Sequence, residues 1–208
     1  MSRSTRTTRT SIRIVAGRLR GRRLTVTVTD ELRPTPQMVR EAFFSILGDA
    51  IPDRPFYDVF AGTGVVGLEA ISRGASHTVF LERDFRLAGS IDKYLKEFGV
   101  ADKGHVVKAD VYRWAERWQP HADVPINVFL SPPFADLTHR LDDFVNLVAE
   151  LQAKAPVGSV IVVQAEEGFP ETRLPDAEKW ERRQYGRNLL HIWIRMPAGE
   201  EPRTERVQ

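Results

Sequence analysis

The sequence predicts an α/β fold built on a mostly parallel, Rossmann-like sheet with an antiparallel C-terminal edge, preceded by a small β-hairpin. Three observations predict it. From residue 56 onward, short apolar strands alternate with helical segments, as a parallel sheet with crossover connections requires. An acid closes the first of those strands and a glycine turn opens a helix behind it, in Asp58-Val-Phe-Ala-Gly-Thr-Gly-Val-Val-Gly67. A Pro-Pro-aromatic step, Ser131-Pro-Pro-Phe134, ends a later apolar strand.

The elements follow in order. Residues 1–29 carry eight arginines and no acid, so a chain of net charge +2 divides into +8 there and −6 over residues 30–208. Such a basic arm on a mildly acidic body suits a nucleic acid, because guanidinium forks pair with phosphate oxygens and release counterions. Residues 1–11 read as a disordered basic arm, either a nucleic-acid contact or a solubilising tail. Residues 12–35 read as a β-hairpin extension. Ile12 and Ile14 flank Arg13, Leu24, Val26 and Val28 alternate with threonines, and Gly17 and Gly21 bracket the turn. Arg13, Arg18, Arg20, Arg22 and Arg23 stud this hairpin and are its candidate RNA contacts.

Arg33-Pro-Thr-Pro36 comes next, with Thr35 placed to cap a helix and Pro36 at its first turn. Val39, Ala42, Phe43, Ile46 and Leu47 mark one apolar face of that helix, which Gly48 and Pro52 end. Residues 36–196 form one domain. Strands are expected at Phe56–Phe60, Thr78–Glu82, Val106–Lys108, Ile126–Leu130 and Val160–Ala165, with a clear helix at Leu141–Leu151. Trp180–Tyr185 and Leu189–Met196 read as a hairpin across Gly186, and residues 197–208 as a loose tail. Trp114 and Trp118, four apart on a helix, suit core packing better than base stacking.

The glycine loop formally matches a dinucleotide fingerprint, Gly62-x-Gly64-x-x-Gly67, with Glu82 twenty residues beyond Gly62. A pyrophosphate, however, seeks positive groups and free N–H donors at a helix start. Asp58, just ahead of the loop, would repel it and would suit a sulfonium and an α-amine. Glu82 is placed to accept from ribose hydroxyls, and Asp110 from an adenine amine. A ring-conjugated amine is a poor nucleophile until acceptors engage its N–H groups. Consecutive prolines offer carbonyls and no N–H, and Phe134 can stack on the base and hold its amine in line. Ser131, Pro132, Pro133 and Phe134 are therefore the candidate catalytic step. The five histidines are scattered without ligand spacing and cysteine is absent, so metal chemistry and disulfides are not expected. The chain has no stretch long enough for a membrane span, and its start lacks the apolar core of a secretory signal, although its Arg/Ser/Thr-rich character resembles a transit peptide.

From about Ile12 to Met196 the chain resembles the bacterial 16S rRNA guanine-N2 methyltransferases of the RsmD type. The landmarks are Arg-Ile-Val-Ala-Gly-Arg at 13–18, Arg-Gly-Arg-Arg-Leu at 20–24, Leu-Arg-Pro-Thr at 32–35, Val-Arg-Glu-Ala-Phe-Phe at 39–44, Asp-Val-Phe-Ala-Gly-Thr-Gly at 58–64 and the Pro-Pro-Phe step. The resemblance implies a class I S-adenosylmethionine methyltransferase fold and methylation of one guanine of small-subunit rRNA, in an assembled or assembling particle. It implies that Phe60, Ala61, Gly62, Thr63, Gly64, Glu82 and Arg83 bind S-adenosylmethionine, with Asp110 and Val111 near adenine. Arg33, Thr35 and Arg40 would lie near the methionine end or the substrate, Arg40 being alternatively a solvated helix residue or a local ion pair. A monomeric, cytoplasmic protein is expected.

One departure matters. The family usually has Asp or Asn where this chain has Ser131. Losing one charge-assisted contact in the transition state costs about 2–4 kcal/mol. The carbonyls of Ser131 and Pro132 would remain, and a water or Asp136 could assist. Two other functions stay open: a non-catalytic rRNA-binding assembly protein, and an enzyme of this fold acting on another planar amine, such as a DNA adenine or a glutamine side chain.

Overall fold

The computed structural model describes residues 7–29, 32–120 and 123–200. The expectations for residues 1–6 of the arm and 201–208 of the tail lie outside the described residues. Two antiparallel strands, β1 (Thr8–Arg13) and β2 (Arg23–Val28), form the N-terminal hairpin, with Ile12 opposite Leu24 and Arg13 opposite Arg23. The strand begins at Thr8, so residues 8–11 are ordered ladder and not part of a disordered arm. The reason lies in the partner strand: Thr8 and Thr10 pair with Val28 and Val26, and their own polar residues carry no alternation.

The hairpin is fused to the body. Ile14, Leu19, Leu24 and Val26 join the same buried cluster as helices α1 (Gln37–Leu47), α2 (Val65–Ser72) and α3 (Phe85–Glu97). The Tyr94 hydroxyl on α3 donates to the Thr25 carbonyl and accepts from its N–H, both at 2.8 Å. At the turn, Gly17 (φ +77°) lies so close to the end of α2 that a Cβ would sit 1.9 Å from the Ser72 carbonyl oxygen. That approach lets the N–H of Arg18 donate to the Ser72 carbonyl and the N–H of Leu19 to Ser72 Oγ.

The main sheet comprises β3 (Phe56–Val59), β4 (Thr78–Leu81), β5 (Gly104–Val107), β6 (Asn127–Leu130), β7 (Val160–Glu166), β8 (Glu181–Tyr185) and β9 (Asn188–Ile194). Its spatial order is β5-β4-β3-β6-β7-β9-β8. The first five run parallel, and β9 and β8 are antiparallel. Helices α1, α2 and α3 cover one face. On the other lie α4 (Val111–Arg117) and α6 (Leu141–Lys154), around Trp118, Phe144, Leu147 and Leu151. Trp118 is buried there and Trp114 packs beside it, as core filler should. The short helix α5 (Phe134–His139) follows the diproline.

Most strand expectations are met to within one or two residues. β5 starts at Gly104 instead of Val106, because an edge strand with a glycine seated against Leu95 has no apolar pattern to announce it. The α1 face also turns: Phe44 is buried, and Ile46 is exposed. Thr35 does not cap α1, which starts after Pro36 without any side-chain cap, and its hydroxyl points elsewhere.

Candidate active site

The strand order reverses at β3, with β4 on one side and β6 on the other, so the loops after these strands open a crevice at their carboxyl ends. The glycine loop enters it directly. Phe60 adopts a left-handed conformation (φ 66°), unusual for a residue with a side chain, and Gly62 and Gly64 follow at φ 53° and 72°. Phe60 is held by Tyr112 and Phe144, with ring centroids 5.9 and 6.4 Å away. Gly67, inside α2, has no room for a side chain, since a Cβ would meet the Phe80 ring at 2.2 Å.

Two acids organise this loop from beneath. Asp58 is 2 % exposed, and its Oδ2 accepts the Gly67 N–H at 2.9 Å. Burial pushes its carboxyl up to about 7; the Gly67 N–H opposes the shift, and the nearby Glu82 adds to it. Asp58 thus acts on the crevice through the loop it anchors and through its charge. Glu82 bridges two loops, with Oε2 accepting from the Gly62 N–H at 2.7 Å and Oε1 from the Asp84 N–H at 2.8 Å. Asp110 caps α4 through the Tyr112 N–H and lies 3.8 Å from the Arg140 guanidinium. An acid thus lies at or just beyond the carboxyl end of each of β3, β4 and β5, Asp110 in the loop that leads into α4. Ala61, Thr63, Gly64 and Val111 are buried in the loop walls, and Arg83 and Arg33 are exposed.

The register of β3 on β6 pairs Val59 with Leu130, and the Ser131 N–H reaches the Val59 carbonyl at 3.4 Å. This places the Ser131-Pro-Pro-Phe134 step beside the glycine loop. Pro133 caps α5 with its carbonyl, which accepts from Asp136 and Leu137. Among the described residues no hydrogen bond engages the carbonyls of Ser131 and Pro132. Phe134 stands out of the surface at 73 % exposure.

Several contributors were not visible in sequence. Gln164 on β7 accepts from Thr35 Oγ1 at 2.9 Å and from Ser131 Oγ at 3.4 Å, and donates to Asn188 Oδ1 at 3.1 Å. The Tyr112 hydroxyl donates to Asp136 Oδ2 at 2.7 Å, and Arg140 lies 4.0 Å over the Tyr112 ring. Burial and the Asp136 carboxylate push the Tyr112 phenol well above its ordinary range. Asp136, considered above as a helper for Ser131, is turned toward Tyr112.

Arg40 needs correction as an RNA contact. It is 2 % exposed, with Nε on Glu69 Oε2 at 3.0 Å, one amino group on the Thr35 carbonyl at 2.7 Å and the other on the Arg13 carbonyl at 3.0 Å. It ties hairpin, Thr35 loop, α1 and α2 together, so of the alternatives for Arg40 the local ion pair is the one found, and the helix face it lies on is buried. Its spacing from Phe43 and Phe44 places it on the buried stripe, a signal present in the sequence. Arg13, Arg18, Arg20, Arg22 and Arg23 are all exposed, as is Arg9. Among the described residues no group of three or more His, Asp or Glu side chains could hold a metal ion, and no helix is long and apolar enough to cross a membrane.

Seven strands in this order, a glycine loop between two acid-ended strands and a Pro-Pro-aromatic step beside it define a class I methyltransferase fold. The chain belongs to the family described as Conserved hypothetical protein 95, whose pattern it matches over residues 12–194. This is the family of the RsmD-type enzymes, as the resemblance implied. It is 34 % identical over 172 residues to ribosomal RNA small subunit methyltransferase D of Haemophilus influenzae, spanning 81 % of this chain and 84 % of that protein. With ribosomal RNA small subunit methyltransferase D of Escherichia coli it shares 36 % over 140 residues, 67 % of each chain. The solved structure of Escherichia coli yhhF superposes with a TM-score of 0.71 at 29 % identity, covering 90 % of this chain and 99 % of that one. An RNA methyltransferase of Salinibacter ruber, solved with S-adenosyl-L-homocysteine, shares the fold at a TM-score of 0.53 and 19 % identity, covering 82 % and 97 %.

Proposed function

We propose that this protein methylates the exocyclic N2 amine of a guanine in small-subunit rRNA, using S-adenosylmethionine. The observation that carries the reading is the pair of uncommitted carbonyls at Ser131 and Pro132, beside an exposed Phe134 and the acid-lined glycine loop. The relatives named as small-subunit rRNA methyltransferases support it.

The residues fit the cofactor on their own chemistry. Gly62 and Gly64 let the loop pack tightly on the protein beneath the crevice: a Cβ would lie 3.1 Å from Leu32 and 2.7 Å from Ile91. The polar side chains at the strand ends, Asp58, Glu82 and Asp110, are carboxylates, which favour a cation and hydroxyl or amine donors over a phosphate. Glu82 and Gly62 would hold the ribose, Asp110 and Val111 the adenine, and Phe60 to Gly64, with Thr35 and Arg33, the remainder. When bound, S-adenosylmethionine supplies an electrophilic methyl group. Phe134 stacks on the guanine and fixes its plane. Ser131 Oγ and the carbonyls of Ser131 and Pro132 accept from the amine N–H groups, localising the nitrogen lone pair, and the proton the nitrogen loses passes to water. Geometry of this kind lowers a barrier by fixing approach and by stabilising charge as it forms.

The exposed hairpin arginines supply the RNA contact in this reading. Arg13 and Arg23 face each other across the hairpin, an arrangement that costs stability until a polyanion lies on it. The first experiment is methyl transfer from radiolabelled S-adenosylmethionine to small subunits lacking the mark, with the product nucleoside identified after digestion. Label in N2-methylguanosine at one site is expected. No label where the cofactor binds would sink the enzyme reading for this substrate and favour a binding-only assembly factor.

A further inference from the structure

The geometry points to Gln164 as the positioning residue that turns Ser131 into a hydrogen-bond acceptor for the substrate amine, an inference that rests on the function proposed above. The register of β6 on β7 pairs Leu130 with Val163, so the next residues, Ser131 and Gln164, stand side by side at the crevice. A serine is ambiguous at such a site because its hydroxyl can donate or accept. If its proton pointed at the guanine amine, it would bind the nitrogen lone pair that must attack, and the serine would inhibit. An amide oxygen can only accept. Gln164 Oε1, 3.4 Å from Ser131 Oγ, gives that proton another destination and leaves the lone pairs of Oγ facing the crevice.

At 3.4 Å the contact is long and weak for an O–H···O hydrogen bond, so it sets a preferred direction for the proton and adds little stability. Direction is what the rest of the network secures. Gln164 Nε2 donates to Asn188 Oδ1 on β9 at 3.1 Å, so the two amides are oriented as a pair. Thr35 Oγ1 donates to the same Oε1 at 2.9 Å, so this oxygen lies between two hydroxyls. Asp136, the nearest carboxylate in sequence, is turned to Tyr112. A neutral pair, Ser131 and Gln164, thereby presents an acceptor edge without a carboxylate.

The test is a double-mutant cycle on the full chain, read as kcat for methyl transfer to small subunits, with cofactor affinity and Tm measured alongside. Gln164→Leu should lower kcat about tenfold, the effect of one misdirected hydrogen bond, read at saturating cofactor because Thr35 loses its partner as well. In a Ser131→Ala background the same substitution should change kcat by less than about twofold, since no hydroxyl remains to direct. Gln164→Glu should restore most of the rate, because a carboxylate also accepts from Ser131 and Asn188 can turn its own amide to donate. Equal losses with and without the Ser131 hydroxyl, or no rescue by Gln164→Glu, would overturn the inference while leaving the activity standing. No transfer by the unmodified chain would overturn both.

Discussion

The backbone N–H of Gly67, within the first turn of α2, donates to Asp58 Oδ2 at 2.9 Å, so the acid that ends β3 is buried against the helix that starts a few residues after it. The two motif landmarks that look like independent ligand residues in sequence are one mechanical unit. Gly67 is small because Phe80 occupies the space of its side chain, and Asp58 is acidic because a loop N–H needs an acceptor there.

That burial predicts a pH dependence. The Asp58 carboxyl is raised from 3.8 to about 7, first by burial, with the Gly67 N–H opposing and Glu82 adding. Between those values the folded state holds a proton that the unfolded chain has released, so this group makes stability fall as pH rises from about 4 to about 7 and adds no further change above that. Asp58→Asn keeps an acceptor for Gly67 and removes the titration. Thermal unfolding from pH 4 to 8 should show a shallower decline in the variant; parallel curves would contradict the assignment.

Arg40 should behave as a fold residue. Removing it strands Glu69, fully buried and left with Arg73 as its remaining cation at 3.1 Å. Arg40→Leu is expected to cost about 3–5 kcal/mol, measured by denaturant unfolding. The salt dependence of RNA binding by whatever fraction stays folded should be unchanged.

The hairpin arginines should show the opposite pattern. Replacing Arg13 and Arg23 by glutamine relieves a like-charge pair, so stability should hold or rise slightly. RNA affinity should fall, and the slope of its logarithm against log salt should drop by roughly 1.5 for two lost phosphate contacts. A titration at several salt concentrations decides this, and an unchanged slope would remove Arg13 and Arg23 from the interface.

Phe134 is exposed enough that its loss costs the fold little. If it stacks on the target base, Phe134→Ala should remove about 1–3 kcal/mol of substrate interaction, seen in kcat/KM with Tm unchanged. Phe134→Tyr should retain most of the rate.

Much of this was legible from local pattern. The strand-helix alternation, the glycine turn, the diproline step and the arginine-studded hairpin each lie within a few residues of chain, where period and turn chemistry act directly. Thr8 to Ser11 were not legible as strand, because their order comes from Val26 and Val28 across the hairpin. Thr35 looked like a helix cap, yet its hydroxyl has a partner 129 residues away in Gln164.

The class of fold, the order of its elements and the loops that face the crevice are all written in local pattern. Those follow from hydrophobic periodicity and from residues whose backbone limits are intrinsic, such as Gly62, Pro132 and Pro133. Tertiary structure alone decided what the polar side chains do. Arg40 turns inward to Glu69, 29 residues on, and Gln164 comes beside Ser131, 33 residues away, because strand register and helix packing bring them together. A polar side chain's role depends on whether it meets water or a partner, and no local pattern encodes that meeting.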